Sequence, residues 1–158
     1  MNDLHLVLLA PEIPWNTGNV GRTCLALGAS LHLVRPLGFS LSDREVRRSG
    51  LDYWERVRPR IWDRWPDLEA ALPELGSPWF FSAEAGTELA AAAISSPAVL
   101  VFGAESAGLP GDLRTRFRHR LVRIPMRGEV VRSLNLSTAV AVAGFEVRRR
   151  WDEARTGA

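Results

Sequence analysis

Short apolar runs recur along the chain, separated by segments in which apolar residues return every three or four positions. Residues 4–9, 31–34, 79–82, 99–102 and 121–124 are nearly continuous apolar stretches of strand length, the pattern of strands buried on both faces. Pro11 and Pro14 bar regular structure after the first run, and Asn16 or Thr17 is placed to cap a helix that runs to about Leu27 and closes at Gly28. Ser42 or Asp43 is placed to cap a second helix, with Gly50 as its terminator. Residues 57–62 read as a short strand carrying alternate arginines, and 63–75 as a helix interrupted near Pro66 and Pro73. The alanine-rich stretch 87–94 reads as helix, as do 110–117 and the long last segment 134–151, with 156–158 frayed. Strands that alternate with helices in this way predict an α/β fold, a parallel sheet covered on both faces.

Two of the strands end in loops that matter more than the rest. The run at 99–102 breaks into Gly103-Ala104-Glu105-Ser106-Ala107-Gly108. The run at 121–124 breaks into a loop ending in Ser133-Leu134-Asn135-Leu136-Ser137, residue types that open helices. Ligands of parallel sheets collect at such strand ends. The first loop has neither the G-x-G-x-x-G spacing of a dinucleotide site nor the Gly-Lys-Ser/Thr ending of a P-loop, so a different ligand is implied.

At 158 residues the chain suits one domain, 1–158, with a full-sized core. No apolar run approaches the roughly 20 residues that cross a membrane, and residues 1–3 lead into the first run without a basic n-region or cleavage site. A soluble, cytoplasmic protein is expected. One cysteine excludes an internal disulfide, and Cys24, inside a predicted helix, reads as a small buried hydrophobe rather than a nucleophile. Three scattered histidines offer no zinc constellation, so no metal is expected. His5 and His32 fall in strands and read as satisfied core or edge residues, His119 as a surface position.

The net charge of +2 understates the basic character, because all 20 Lys and Arg residues are arginine. A GC-rich genome is the simplest reading of arginine in place of lysine, but placement says more. From Arg114 to Arg132 run seven arginines and His119 against one acid, Glu129, whereas acids dominate 67–88. Such polarity implies a face for a polyanion, and arginine suits phosphates and stacked bases of folded RNA. For any single arginine a solvated surface remains the alternative.

Read with Pro11 to Arg22, the two loops resemble three ordered motifs of the SPOUT superfamily of RNA methyltransferases. Asn16, Gly18 and Arg22 match N-x-G-x-x-x-R, residues 103–109 match G-x-E-x-x-G-L, and 124–126 with 133–137 match I-P-M and S-L-N-L-S. Arg47-Arg48-Ser49-Gly50-Leu51-Asp52-Tyr53 is similar to a signature of the tRNA wobble-nucleotide 2′-O-methyltransferase branch, often called TrmL- or YibK-like. Periodicity alone suggests an ordinary open sheet, since knots are nearly absent from proteins. The resemblance implies otherwise, a SPOUT fold with a deep C-terminal trefoil knot.

It also implies an enzyme that moves a methyl group from S-adenosyl-L-methionine to the ribose 2′-hydroxyl of the tRNA wobble nucleotide, a cytidine or modified uridine at position 34. On that reading Gly103, Glu105, Ile124, Met126 and Ser133 line the cofactor site and Ser82 forms its wall. Arg22 and Ser133 are the catalytic candidates, Asn16, Gly18 and Asn135 shape the site, and Arg44, Arg47, Arg48, Arg127 and Arg132 meet RNA. A 2′-hydroxyl is a very weak acid and needs its proton polarised. Arginine stays protonated in proteins, so Arg22 is read as stabilising the developing alkoxide and clamping the adjoining phosphate. A plain helix-surface arginine is the alternative.

The last helix carries Leu136, Val140, Ala143 and Val147 at spacings of 4, 3 and 4, broadened by Ala139, Val142 and Phe145. A stripe this wide asks to be covered on more than one side. A homodimer is expected, in which the resemblance implies a site shared between subunits. Two other functions stay open at this point: a 2′-O-methyltransferase of another RNA such as rRNA, and a noncatalytic RNA-binding knot protein.

Overall fold

The computed structural model describes residues 3–50 and 53–157, with residues 49 and 50 as backbone only. Leu51 and Asp52 of the Arg47–Tyr53 signature, and Ala158, lie outside the described residues. Among the described residues seven strands form one sheet: β1 (Leu4–Leu9), β2 (Ser30–Val34), β3 (Arg60–Trp62), β4 (Ser77–Phe81), β5 (Thr87–Glu88), β6 (Ala98–Phe102) and β7 (Leu121–Arg123). Their order is β3-β2-β1-β6-β4-β7-β5, and every pairing is parallel. The helices are α1 (Pro14–Leu27), α2 (Arg44–Gly50), α3 (Trp54–Val57), α4 (Trp65–Leu75), α5 (Gly111–Arg116) and α6 (Leu136–Thr156).

Strand alternation divides the apolar residues between two faces. Leu4, Leu6 and Leu8 of β1, with Leu31, Leu33, Leu100 and Phe102, pack against Val20, Cys24 and Leu27 of α1 and Val140, Ala143 and Val147 of α6. Val7, Leu9, Phe80, Val99 and Val101 face the other way, onto Leu68 and Leu75 of α4 and Leu113 of α5. The predicted two-sided sheet is therefore observed. Cys24 is 1% exposed, and burial pushes its thiol up to about 12, so it is packing material as expected.

His5 and His32 also lie inside. Trp62 Nε1 donates to His32 Nδ1 at 3.0 Å, which leaves His32 Nε2–H to donate to His5 Nδ1, also at 3.0 Å. Burial, with His5 and Arg60 adding repulsion, pushes the His32 pKa down to about 3, so the imidazole is neutral.

Several expected boundaries are corrected. Neither Asn16 nor Thr17 caps α1; the N-cap is Ile13, without a side-chain bond of its own, and both residues lie buried within the first turn. Gly28 does close α1, in the left-handed conformation with φ 62°. At α2, Asp43 is the capping side chain, accepting from Glu45 N at 2.9 Å. Gly50 is the last helical residue rather than a stop beyond it. Half of 57–62 is not strand, since Val57 ends α3 and only 60–62 pair. Pro66 opens α4 and Pro73 sits within it without ending it.

The stretch 87–94 is not a helix but the two-residue strand β5 and one 3₁₀ turn, Leu89–Ala91. Its carbonyls are used elsewhere: Arg150 donates to Leu89 O at 2.9 Å and Ala92 O at 2.5 Å, and Trp151 Nε1 donates to Ile94 O at 2.8 Å. Tertiary bonds from α6, added to the local bond of Ala92 N to Leu89 O, thus hold this stretch in a single 3₁₀ turn rather than the helix that alanine would favour. Thr156 does not fray but belongs to α6, which Gly157 closes.

Candidate active site

The strand order reverses direction between β1 and β6, the place where open parallel sheets leave a crevice beyond their carboxyl ends. A cavity of about 510 Å³ lies there. Its wall comes from the segments that follow four adjacent strands: Ile13 and Asn16 after β1, residues 103–109 after β6, residues 82–84 after β4, and residues 124–139 after β7. Phe81 and Phe102, stacked with centroids 4.7 Å apart, lie on the wall as apolar surface. Ser82, Gly103, Glu105, Ile124, Met126, Ser133, Asn16 and Asn135 all line this one cavity. Gly18 is buried in α1 and does not line it. Arg22 stands on the exposed side of α1, also outside the lining.

Hydrogen bonds explain how residues so far apart in sequence are held together. The Glu105 carboxylate accepts from Glu12 N at 2.7 Å, Ile13 N at 3.1 Å and Asn16 Nδ2 at 3.4 Å. It thereby ties the loop after β6 to the two backbone N–H groups that lead into α1 and to the Asn16 side chain in its first turn, where a negative group also meets the helix dipole favourably. Glu12 answers in kind, its Oε1 accepting from Ser106 N at 3.2 Å and Ser106 Oγ at 2.5 Å. Asn16 Oδ1 then accepts from Asn135 Nδ2 at 3.0 Å, while Asn135 Oδ1 caps α6 by accepting from Ser137 N and Thr138 N. Asn16 is therefore the bridge between the two motif loops. Sequence reading missed Glu12 and Ser106; an acid two residues before a helix-opening proline was the available signal.

Gly103 is required by close approach. A Cβ there would lie 2.1 Å from the Gly108 carbonyl carbon and 2.3 Å from Leu109 N, so the loop folds back on the glycine itself. Gly108 N donates to Ala104 O at 2.8 Å and closes the turn.

The arginines divide into two kinds. Arg114 pairs with Glu84, Arg116 with Glu69 and Arg123 with Glu88, so the acidic stretch 67–88 neutralises three of the seven arginines between 114 and 132. The separation of charge along the sequence is thus partly cancelled in space. Arg127 and Arg132, on the exposed segment between β7 and α6, have no ion pair among the described residues. Nor do Arg44 and Arg48, exposed on α2, while Arg47 reaches Glu55 at 3.9 Å. His119 is exposed as expected and accepts from Arg118 Nε at 3.2 Å. Among the described residues no group of His, Cys, Asp and Glu is arranged to hold a metal, and no helix is long and apolar enough to cross a membrane.

A parallel sheet whose switch-point cavity is walled by these three motif blocks is the architecture of an RNA methylase. The chain belongs to the SpoU rRNA methylase family, whose model matches residues 3–145. It is similar to the tRNA (cytidine(34)-2′-O)-methyltransferase of Burkholderia cenocepacia strain HI2424, with 45% identity over 148 residues covering 92% of this chain and 94% of the relative. Its fold matches a solved structure described as giving structural insights into the 2-OH methylation of C/U34 on tRNA, with TM-score 0.87, 46% identity and coverage of 98% of this chain and 97% of that one. An AdoMet-bound rRNA methyltransferase from Sinorhizobium meliloti matches with TM-score 0.83 and 27% identity over 94% of this chain and 57% of its own.

Proposed function

We propose that this chain, as one domain, transfers a methyl group from S-adenosyl-L-methionine to the ribose 2′-hydroxyl of nucleotide 34 in tRNA. The observation that carries the reading is the bridge through Asn16, which gathers the Arg22-bearing helix and both motif loops around one cavity. The names of the similar tRNA methyltransferase and of the structure concerned with C/U34 support position 34.

The cavity suits the cofactor on its own terms. Its volume of about 510 Å³ lies within the range of small-molecule sites, and its wall mixes apolar side chains with a backbone turn that a Cβ at Gly103 would fill. Gly103, Ile124, Met126, Ser133 and Ser82 would hold the cofactor. Glu105 serves by fixing the loop, since its carboxylate oxygens are engaged by Glu12 N and Ile13 N before α1 and by Asn16 within it. The cofactor brings a methyl group already made electrophilic by its sulfonium, which leaves the protein to align the ribose oxygen and stabilise its charge. Arg22 supplies the positive charge, and Ser133, exposed on the rim, is placed for a proton contact.

Arg22 lies outside the cavity of its own chain, and Trp15, Leu25, Val142 and Phe145 leave apolar surface exposed on the packed pair α1 and α6. We infer from this a homodimer in which Arg22 of one subunit serves the cavity of the other. A trefoil knot, in which the last loop and helix thread through an earlier loop, and a cytoplasmic location complete the reading. Arg44, Arg47, Arg48, Arg127 and Arg132 form the tRNA contact.

The test is nucleoside mass spectrometry of tRNA from a strain lacking the gene, before and after incubation with the purified protein and cofactor. A new 2′-O-methylnucleoside at position 34 is expected, and Arg22→Ala should remove it while cofactor affinity stays near wild type. Methylation confined to ribosomal RNA would reassign the substrate, and none on any RNA, with no cofactor bound at millimolar concentration, would favour the noncatalytic scaffold.

A further inference from the structure

An arginine that must engage ribose and phosphate when RNA arrives has to be oriented by something that occupies neither its N–H donors nor its charge. Arg22 makes no ion pair and no hydrogen bond among the described residues; its partner is the ring of Tyr53, whose centroid lies 5.9 Å from the guanidinium carbon. That is the outer reach of a cation–π contact, in which the cation meets the ring face.

The placement is built into the chain beside Arg22. Residue 21 is glycine, and a Cβ there would lie 2.9 Å from the Trp54 ring and 3.0 Å from Val57 Cγ2. The missing side chain makes a notch on α1 into which α3 fits, with Trp54 buried in it. Tyr53, immediately before Trp54, is thereby left at the rim next to Arg22, 44% exposed. A carboxylate in its place would satisfy the guanidinium and cancel its charge before any substrate bound.

We propose that Tyr53 is a positioning residue for Arg22, holding the guanidinium with its ring while leaving the N–H donors and full charge to the substrate RNA. The inference rests on the reading of Arg22 given under the proposed function. Phenylalanine keeps the ring, whereas leucine and methionine fill similar space without one.

The test compares Tyr53→Phe, Tyr53→Leu and Tyr53→Met in the full-length protein, with thermal melting to confirm folding and the methionine variant standing in if leucine does not fold. The aliphatic variants are expected to lose about tenfold or more in kcat on tRNA, as misplaced reacting groups do, with cofactor Kd and tRNA KM within about twofold of wild type. Tyr53→Phe is expected to keep kcat within about twofold. An unimpaired aliphatic variant overturns the proposal, and so does equal loss in Tyr53→Phe, which would assign the effect to the hydroxyl. The contact itself is read without activity, from the Arg22 Nε–H resonance assigned by its disappearance in Arg22→Ala. A ring-current shift retained in Tyr53→Phe and lost in Tyr53→Leu is expected; its absence from wild type overturns the proposal. A shift present in a protein that does not methylate position 34 keeps Tyr53 as the holder of Arg22 and refutes the catalytic reading instead.

Discussion

Asn135 Nδ2 donates to Asn16 Oδ1 at 3.0 Å, so one side-chain bond joins the first turn of α1 to the cap of α6 across 119 residues of sequence. Asn135→Ala removes both this bond and the cap on Ser137 N, and the cap alone is worth about 1 kcal/mol. Asn16→Ala frees the same bond from the other side. A double-mutant cycle by urea unfolding should give a coupling of about 0.5–1.5 kcal/mol between the two positions. Additive losses would show that the bond contributes nothing of its own.

Gly103→Ala should be far worse than its single methyl suggests. Backbone, not a flexible side chain, occupies the space at 2.1 Å, so the loop has to open. Loss of cofactor binding by calorimetry is expected, with destabilisation of about 1–3 kcal/mol, the usual cost of overpacking. Gly128→Ala, where a Cβ meets nothing within 4 Å, is the matched control and should bind normally.

The exposed ring of Phe145, 53% accessible, makes a clean test of assembly because the residue is not core. Phe145→Asp should leave the monomer folded but shift sedimentation from dimer to monomer, with activity lost in parallel. Mixing Arg22→Ala subunits with Gly103→Ala subunits should restore activity from two inactive parents, since one of the two shared sites is then intact. Verified heterodimers without activity would refute the shared site and leave the methyltransferase reading in place.

His32 predicts how stability responds to acid. Its folded pKa of about 3 lies below the ordinary value of 6.5, so below that value the unfolded chain binds the extra proton and stability falls with falling pH. Between pH 7.5 and pH 5 the loss from this group should be about 2 kcal/mol. Urea midpoints across that window should fall in wild type and stay flatter in His32→Asn. The window stays above the range where Asp3 titrates: burial opposes its ionisation, but Arg148 holds its carboxyl below the usual value.

What was legible in the sequence follows from which interactions are local. Residues 4–9 and 99–102 announce buried parallel strands because nearly every position is apolar, and the register Leu4↔Ala98 through Leu8↔Phe102 joins them directly. The cavity residues were legible through motifs, whose spacing reflects a loop that must turn at Gly103. The anchoring of the segment that leads into α1 was not, because its acceptor, Glu105, comes from more than ninety residues away. The same holds for 87–94, where alanine favours helix but Arg150 and Trp151 claim the carbonyls. The arginine run was legible only in part for a related reason, since nothing local told Arg114, Arg116 and Arg123 from Arg127 and Arg132. Their acidic partners become visible only when the sheet brings 67–88 alongside.

The cavity is also a late feature in the life of the molecule. All seven strands are in place once the chain has been made to Arg123, yet the wall still lacks residues 124–139 and Asn16 still lacks Asn135. A chain ending in this interval has every strand of the sheet but neither the α6 side chains that cover one of its faces nor a closed place for a ligand. Ligand binding therefore reports that synthesis has passed Asn135 and that the two ends of the polypeptide have met.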